Sequence, residues 1–118
     1  MTDKTYDKGL AGESQAVQYL EKQGMRLVHR RYRSSGGEID AVMADGDTLV
    51  FVEVKLRFTG NRGEGLMAVT MKKRRRIIKT ALFYLAEHDH EGPIRFDVVE
   101  VTADGIEHIK DAFHGKEF

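Results

Sequence analysis

At 118 residues and without cysteine, the chain has room for one domain with a single core and offers no disulfide framework, thiol chemistry or zinc finger. Apolar residues make up 41% and charged ones 32%, the balance of an ordinary soluble protein, and no apolar run nears the ~20 residues of a membrane span. Net charge is zero, yet residues 54–80 carry nine Lys/Arg against one Asp/Glu and residues 81–118 carry three against nine, so one segment is a concentrated cation.

The opening Met-Thr-Asp-Lys-Thr-Tyr-Asp lacks the basic start and apolar stretch of a signal peptide, and the expected compartment is cytoplasmic. Residues 8–23 are predicted as a helix with Leu10, Val17 and Leu20 on one stripe and Gly24 as its stop. Glu13 falls on the same stripe. It is either a buried acid in need of a cation, a metal or several donors, or a boundary residue turned to water.

Met25 to Arg33 alternates as a strand, and Ser34 to Gly37 form a turn. Residues 38–44 and 48–57 are two further strands joined through Asp45-Gly46, a strong hairpin signal. With those two residues as the turn, Ala44 faces Asp47, Glu38 faces Glu53 and Asp40 faces Phe51. Glu38, Asp40, Glu53 and Lys55 then leave one face of the sheet, and a slip of one residue would split them.

Residues 58–68 are rich in glycine and are expected as a mobile loop close to these acids. A second helix is predicted from Val69 to Glu87, with Ile77, Ile78, Ala81, Leu82 and Leu85 as its core face. Its first half carries Lys72, Lys73, Arg74, Arg75 and Arg76, which oppose the helix macrodipole at a local cost. Pro93 opens a strand, Ile94 to Val101; Ala103-Asp104-Gly105 turns into a short strand, Ile106 to Ile109, and the tail from Lys110 is expected to be peripheral. Helix, three strands, helix and two strands imply an α/β sandwich on a mixed sheet.

Carboxylates and a lysine beside apolar strand residues form a costly arrangement that a hard cation with a phosphate group would justify. Such a cation would polarise a phosphodiester and activate a water, with the lysine holding that water, helping to deprotonate it or neutralising charge. A glycosidase carboxylate pair is the competing chemistry, but it leaves Lys55 and the basic segment without a role. Glu53 and Lys55 alone could equally form a surface ion pair worth ~0–1 kcal/mol. The basic run suits a phosphate backbone, against the plain alternative of a solvated helix face. His88-x-His90 is expected to cap or solvate a helix end; Tyr19, Tyr32 and Tyr84 read as core or boundary aromatics, with Tyr32 and Phe58 able to stack on bases.

Gly9-x-x-Gly12-Glu13, Gly37-Glu38-Ile39-Asp40, Phe51-Val52-Glu53-Val54-Lys55-x-Arg57 and the stretch from Lys73 to Leu85 together resemble the PD-(D/E)xK nuclease superfamily, and more narrowly the YraN family of small bacterial proteins. The resemblance covers about residues 8–100; the proline of the superfamily motif is absent, its place taken by Glu38-Ile39 before Asp40. It implies a single restriction-endonuclease-like domain with an αβββαβ core (about residues 8–109), a mixed central sheet flanked by helices. It further implies Mg²⁺ or Mn²⁺ at Asp40 and Glu53, with Glu13 as a helix-borne acid and Lys55 as the catalytic lysine; Glu38 belongs to the YraN pattern without a role that follows from the superfamily, and joins Glu13 as a further candidate metal ligand. The expected activity is endonucleolytic hydrolysis of DNA, branched or processed structures included, with RNA a weaker candidate substrate. Its alternative is a nucleic-acid-binding or interaction module with a vestigial site. Arg57, Arg62 and Lys72 through Arg76 are the expected nucleic-acid contacts. The two symmetric strands of a junction call for two active sites, hence a homodimer.

Overall fold

The computed structural model describes residues 4–57 and 69–114, with side chains from residue 9 onward. The glycine-rich loop, Phe58 and Arg62 lie outside the described residues. Helix α1 (Lys4–Lys22) leads into strands β1 (Arg26–Ser34), β2 (Gly37–Asp45) and β3 (Thr48–Arg57); helix α2 (Met71–Glu87) is followed by β4 (Ile94–Thr102) and β5 (Gly105–Phe113). The strands form one sheet in chain order, with β3 and β4 parallel and every other pair antiparallel. A parallel neighbour needs a crossover, and α2 belongs to it. The result is the expected α/β architecture, consistent with a restriction-endonuclease-like core.

Each helix is bounded by its sequence. Gly24 (φ 99°) closes α1 with paired bonds from Met25 N to Leu20 O (3.1 Å) and Gly24 N to Glu21 O (3.0 Å), a Schellman motif that only a residue at ease in the left-handed region completes cheaply. The helix begins earlier than residue 8, at Lys4. Thr70 caps α2 by accepting from Lys73 N at 3.2 Å, so the helix starts at Met71 rather than Val69. Its far end stops at His88, whose N–H returns to Tyr84 O at 3.0 Å. His88 thus caps, as its position suggested.

The two helices cover opposite faces. Ile77, Ala81 and Tyr84 of α2 bury Tyr32, Ile39, Val42, Leu49, Phe51, Phe96, Val98 and Phe113, while Ala16, Val17 and Leu20 of α1 bury Met25, Ala41, Met43, Val50, Val52, Val99 and Val101. In β3 the period of two is strict: Leu49 and Phe51 go to α2, Val50 and Val52 to α1. Leu82, predicted in the core, is 60% exposed, because the buried face of α2 runs through Ile77, Thr80, Ala81 and Tyr84 and position 82 is turned away from it. The C-terminal segment is also corrected. Strand β5 continues to Phe113, 1% exposed and stacked on Phe96 at 5.1 Å, because a bulge at Asp111 (φ 56°) returns the chain to the core after the polar Lys110-Asp111.

The β2–β3 hairpin is closed by Gly46-Asp47 rather than Asp45-Gly46. Asp45 pairs with Thr48 and the ladder runs to Ala41 opposite Val52, so Phe51 faces Val42 and not Asp40. Gly46 takes φ 60° at the first central position, as a II′ turn requires, whereas Asp47 keeps a negative φ. The register moves by two residues, which preserves the side-chain parity on which the site depends.

Candidate active site

Alternation carries Glu53 and Lys55 to the α2 side of β3, where Lys55 Nζ lies 3.3 Å from Glu53 Oε1; both side chains are largely buried. On β2 the alternation slips. Ile39 and Val42 both join the α2 core, with Ala41 on the α1 side between them, and Asp40 is the residue at which the phase changes. Strand β1 slips opposite: His29 and Tyr32 both meet Tyr84, while Arg30 and Arg31 both reach α1. Arg31 sits at φ 53°, a region costly for a side chain other than Asn, Asp or Gly.

The expected single face is therefore replaced by a gap. The β2–β3 ladder ends at Ala41–Val52, and Asp40 turns into the opening, where its Oδ2 accepts the main-chain N–H of Val54 at 2.7 Å. A cleft of about 260 Å³ on one side is lined by Glu38, Asp40, Glu53, Lys73 and Arg76. A second of about 240 Å³ is lined by Glu13, Arg31, Glu38, Asp40 and Glu53. Glu38, Asp40 and Glu53 border both.

Glu13 arrives from α1, 7% exposed, so its place on the apolar stripe is a buried one. The preceding Gly12 allows this approach, since a Cβ there would run into the Leu56 side chain of β3. One carboxylate oxygen each of Glu13, Glu38 and Asp40 lies within 4.8 Å of the others. These are hard oxygen donors of the kind Mg²⁺ and Mn²⁺ take. Glu53 stands outside this trio, held by Lys55.

Burial and the crowding of carboxylates dominate the electrostatics of the site. Burial, then the charge of Glu53, pushes the Asp40 carboxyl up to about 8; the Val54 N–H opposes this, and Glu13 and Glu38 add to it. Burial also raises Glu53, against the pull of Lys55 and Lys73. Lys73, from the first turn of α2, comes close to Lys55; that proximity, partial burial and the Lys55 charge lower its amine, while Glu53 and Asp40 act the other way.

The basic run of α2 divides by helical position. Lys73 and Arg76, three apart, line the acid cleft, and Lys72 and Arg75 are exposed to solvent. Arg74 folds back, donating to Val69 O at 2.8 Å and lying 5.6 Å over the Phe113 ring. Arg57 ends β3. Tyr32 is no stacking platform for a base: it is 5% exposed and its hydroxyl donates to Glu87 at 2.7 Å, because the β1 slip turns it into the α2 core.

The chain matches the model of the uncharacterised protein family UPF0102 over residues 12–101. It belongs to that family, which is the YraN family. It is 44% identical over 104 residues to a UPF0102 protein of Herminiimonas arsenicoxydans, covering 88% of this chain and 84% of that one. It is 46% identical over 112 residues to one of Sulfurihydrogenibium sp., covering 94% and 96%, and 47% identical over 110 residues to one of Geobacter metallireducens, covering 89% and 90%. The family match spans every residue of the two clefts except Gly9.

Two residues beside the site lie beyond the acids and bases that the sequence singles out. Arg31, one of four Arg in a short basic stretch, gives no sign of a positive φ. Glu100, fully buried on β4 and level with Lys55 on β3, does carry a signal: it is an acid between valines in a strand, as Glu53 is.

Proposed function

We propose that this chain is a Mg²⁺- or Mn²⁺-dependent endonuclease that hydrolyses phosphodiester bonds in DNA, branched or processed structures among its substrates. The observation that carries the proposal is Asp40. It is a carboxyl turned into the gap between two strands, crowded by Glu13 and Glu38 on one side and by Glu53 with Lys55 on the other, and burial together with these neighbouring carboxylates disfavours its ionisation. Such an arrangement costs stability, and a bound cation relieves it.

Glu13, Glu38 and Asp40 are the residues that would hold the metal, which when bound polarises the phosphodiester and lowers the pKa of a water. Val54 N–H holds the Asp40 carboxyl by a hydrogen bond, so its orientation does not rest on the metal. Lys55, steered by Glu53, holds the attacking water or neutralises charge on the phosphoryl oxygens. Lys73 and Arg76 on the opposite wall are placed to seat phosphates entering the cleft, and Lys72 and Arg75 extend this electropositive edge. Two such sites in a homodimer would serve the two strands of a junction. One observation favours the second reading, a binding module without turnover: Glu13 is already satisfied by Arg31, at 2.6 Å.

The deciding experiment incubates the purified protein with branched, single-stranded and duplex DNA and with RNA, each with Mn²⁺. Metal-dependent DNA cleavage lost in both Asp40→Ala and Lys55→Ala is the expected result. Cleavage surviving in both variants rejects these residues, and salt-sensitive binding without any turnover selects the binding module.

A further inference from the structure

The Arg31–Glu13 pair lies inside the acid cluster. Arg31 donates from both Nε (3.1 Å) and Nη2 (2.6 Å) to a single oxygen, Glu13 Oε2. Glu13 is one of the three acids whose oxygens converge within 4.8 Å, so one member of that trio is already paired with a full positive charge. Arg33 also meets a member of the trio, Glu38, at 3.2 Å, but nearer the surface with its own side chain mostly exposed, while Lys55 and Lys73 surround Glu53.

The backbone explains why Arg31 is there. An unbroken strand would send residue 31 to the α2 face along with His29. The left-handed conformation at φ 53° instead turns it, together with Arg30, towards α1 and Glu13. A backbone conformation that disfavours arginine is thus what aims its guanidinium at the cluster.

We propose that Arg31 is a resident counter-ion of the acid cluster, which a divalent metal must displace from Glu13 in order to bind Glu13, Glu38 and Asp40 together. The inference rests on the metal-dependent reading above and adds to it a competition built into the chain. A guanidinium and a divalent cation repel at one carboxylate, so the affinity of the metal is lowered by the cost of moving Arg31 away. Arg31 acts through Glu13, as a positioning residue that sets how readily the metal enters.

The test is calorimetric titration of the full chain with Mn²⁺ at fixed ionic strength, comparing wild type with Arg31→Asn, Arg31→Gly, Arg31→Lys and Asp40→Ala. Asn and Gly both tolerate the left-handed backbone, so thermal melts should show both variants folded. The expected result is metal binding tightened roughly tenfold or more in both, the size that follows from taking a full charge from within a few ångströms of the incoming cation. Arg31→Lys should stay nearer to wild type, because it keeps the charge. A second readout in the wild type is the Arg31 Nε–H resonance, which should shift as Mg²⁺ is added. Equal affinity in wild type, Arg31→Asn and Arg31→Gly, with binding still lost in Asp40→Ala, overturns the role of Arg31 and leaves the metal site standing. Tightening in Arg31→Asn alone reflects the new amide as a ligand and overturns it too. No metal binding in any variant removes both the inference and the reading beneath it.

Discussion

Asp40 Oδ2 accepts the main-chain N–H of Val54 at 2.7 Å, just beyond the point where the β2–β3 ladder stops. A side chain here takes over the role of a ladder carbonyl. The bond keeps the two strands together where they part, and it fixes an acid in the gap that their parting creates. Structure and candidate chemistry therefore share one atom, and substitutions at Asp40 separate the two.

Asp40→Asn should stabilise the metal-free protein. The folded carboxyl is raised to about 8 from an ordinary value near 4, so the folded state holds a proton that the unfolded chain gives up. The stability linked to that proton is fully present below about pH 4 and is lost as pH rises through about 8. Urea unfolding of wild type without metal should therefore show stability falling across this interval, with Glu53 acting in the same direction. The neutral amide keeps an acceptor for Val54 N–H and removes the charge. A gain of about 1–2 kcal/mol at pH 8, with a flatter pH profile, is expected.

Lys55→Met should leave the fold intact and remove metal-dependent DNA cleavage. The methionine fills a similar volume, so a loss of about 10²–10³-fold in the cleavage rate reports the lost charge and not a cavity. Far-UV circular dichroism alongside single-turnover cleavage assays separates the two effects.

Within the basic run of α2, position decides function. Replacing Lys73 and Arg76 by Gln should weaken DNA binding and lower the salt dependence of log Kd by about one unit for each phosphate that is no longer neutralised. Replacing Arg74 should instead cost stability, since its guanidinium is tied to Val69 O and lies over Phe113. Fluorescence anisotropy at several salt concentrations distinguishes these outcomes.

Phe113→Ala should destabilise the protein by about 3–5 kcal/mol in urea unfolding, the cost of emptying a fully buried aromatic site. A peripheral tail would give no more than a few tenths.

An acid-labile element lies apart from the site. Asp97, fully buried on β4, is raised by desolvation, but His108 at 2.7 Å, Arg95 at 2.9 Å and the Asp111 N–H outweigh this and hold it below the usual carboxylate range. Its folded value is depressed, so the stability it contributes is present above the ordinary value near 4 and is lost as pH falls below it. Asp97→Asn should remove that part of the acid transition, read by circular dichroism between about pH 5 and 2, the range that ordinary carboxylates span.

Local signals in the chain were enough for the order of elements and the nearness of Asp40 to Glu53 and Lys55, while for Glu13 they left burial and exposure both open. Each depends on short-range periodicity or on a turn, and these are properties of neighbouring residues. The hairpin shows how far this goes: Gly46 closes it one position later than expected, but the two-residue shift keeps parity, so the acids still meet. What the tertiary structure alone decided is the form of their meeting. The matched slips at Arg31 and Asp40 arise where β1, β2 and β3 must satisfy two helices at once, and no local pattern records that constraint. From the same source come the gap that Asp40 enters, the arginine set against Glu13 and the approach of Lys73 to Lys55. Side-chain phase along a strand is written in its residues; where that phase breaks is settled by what the strand packs against.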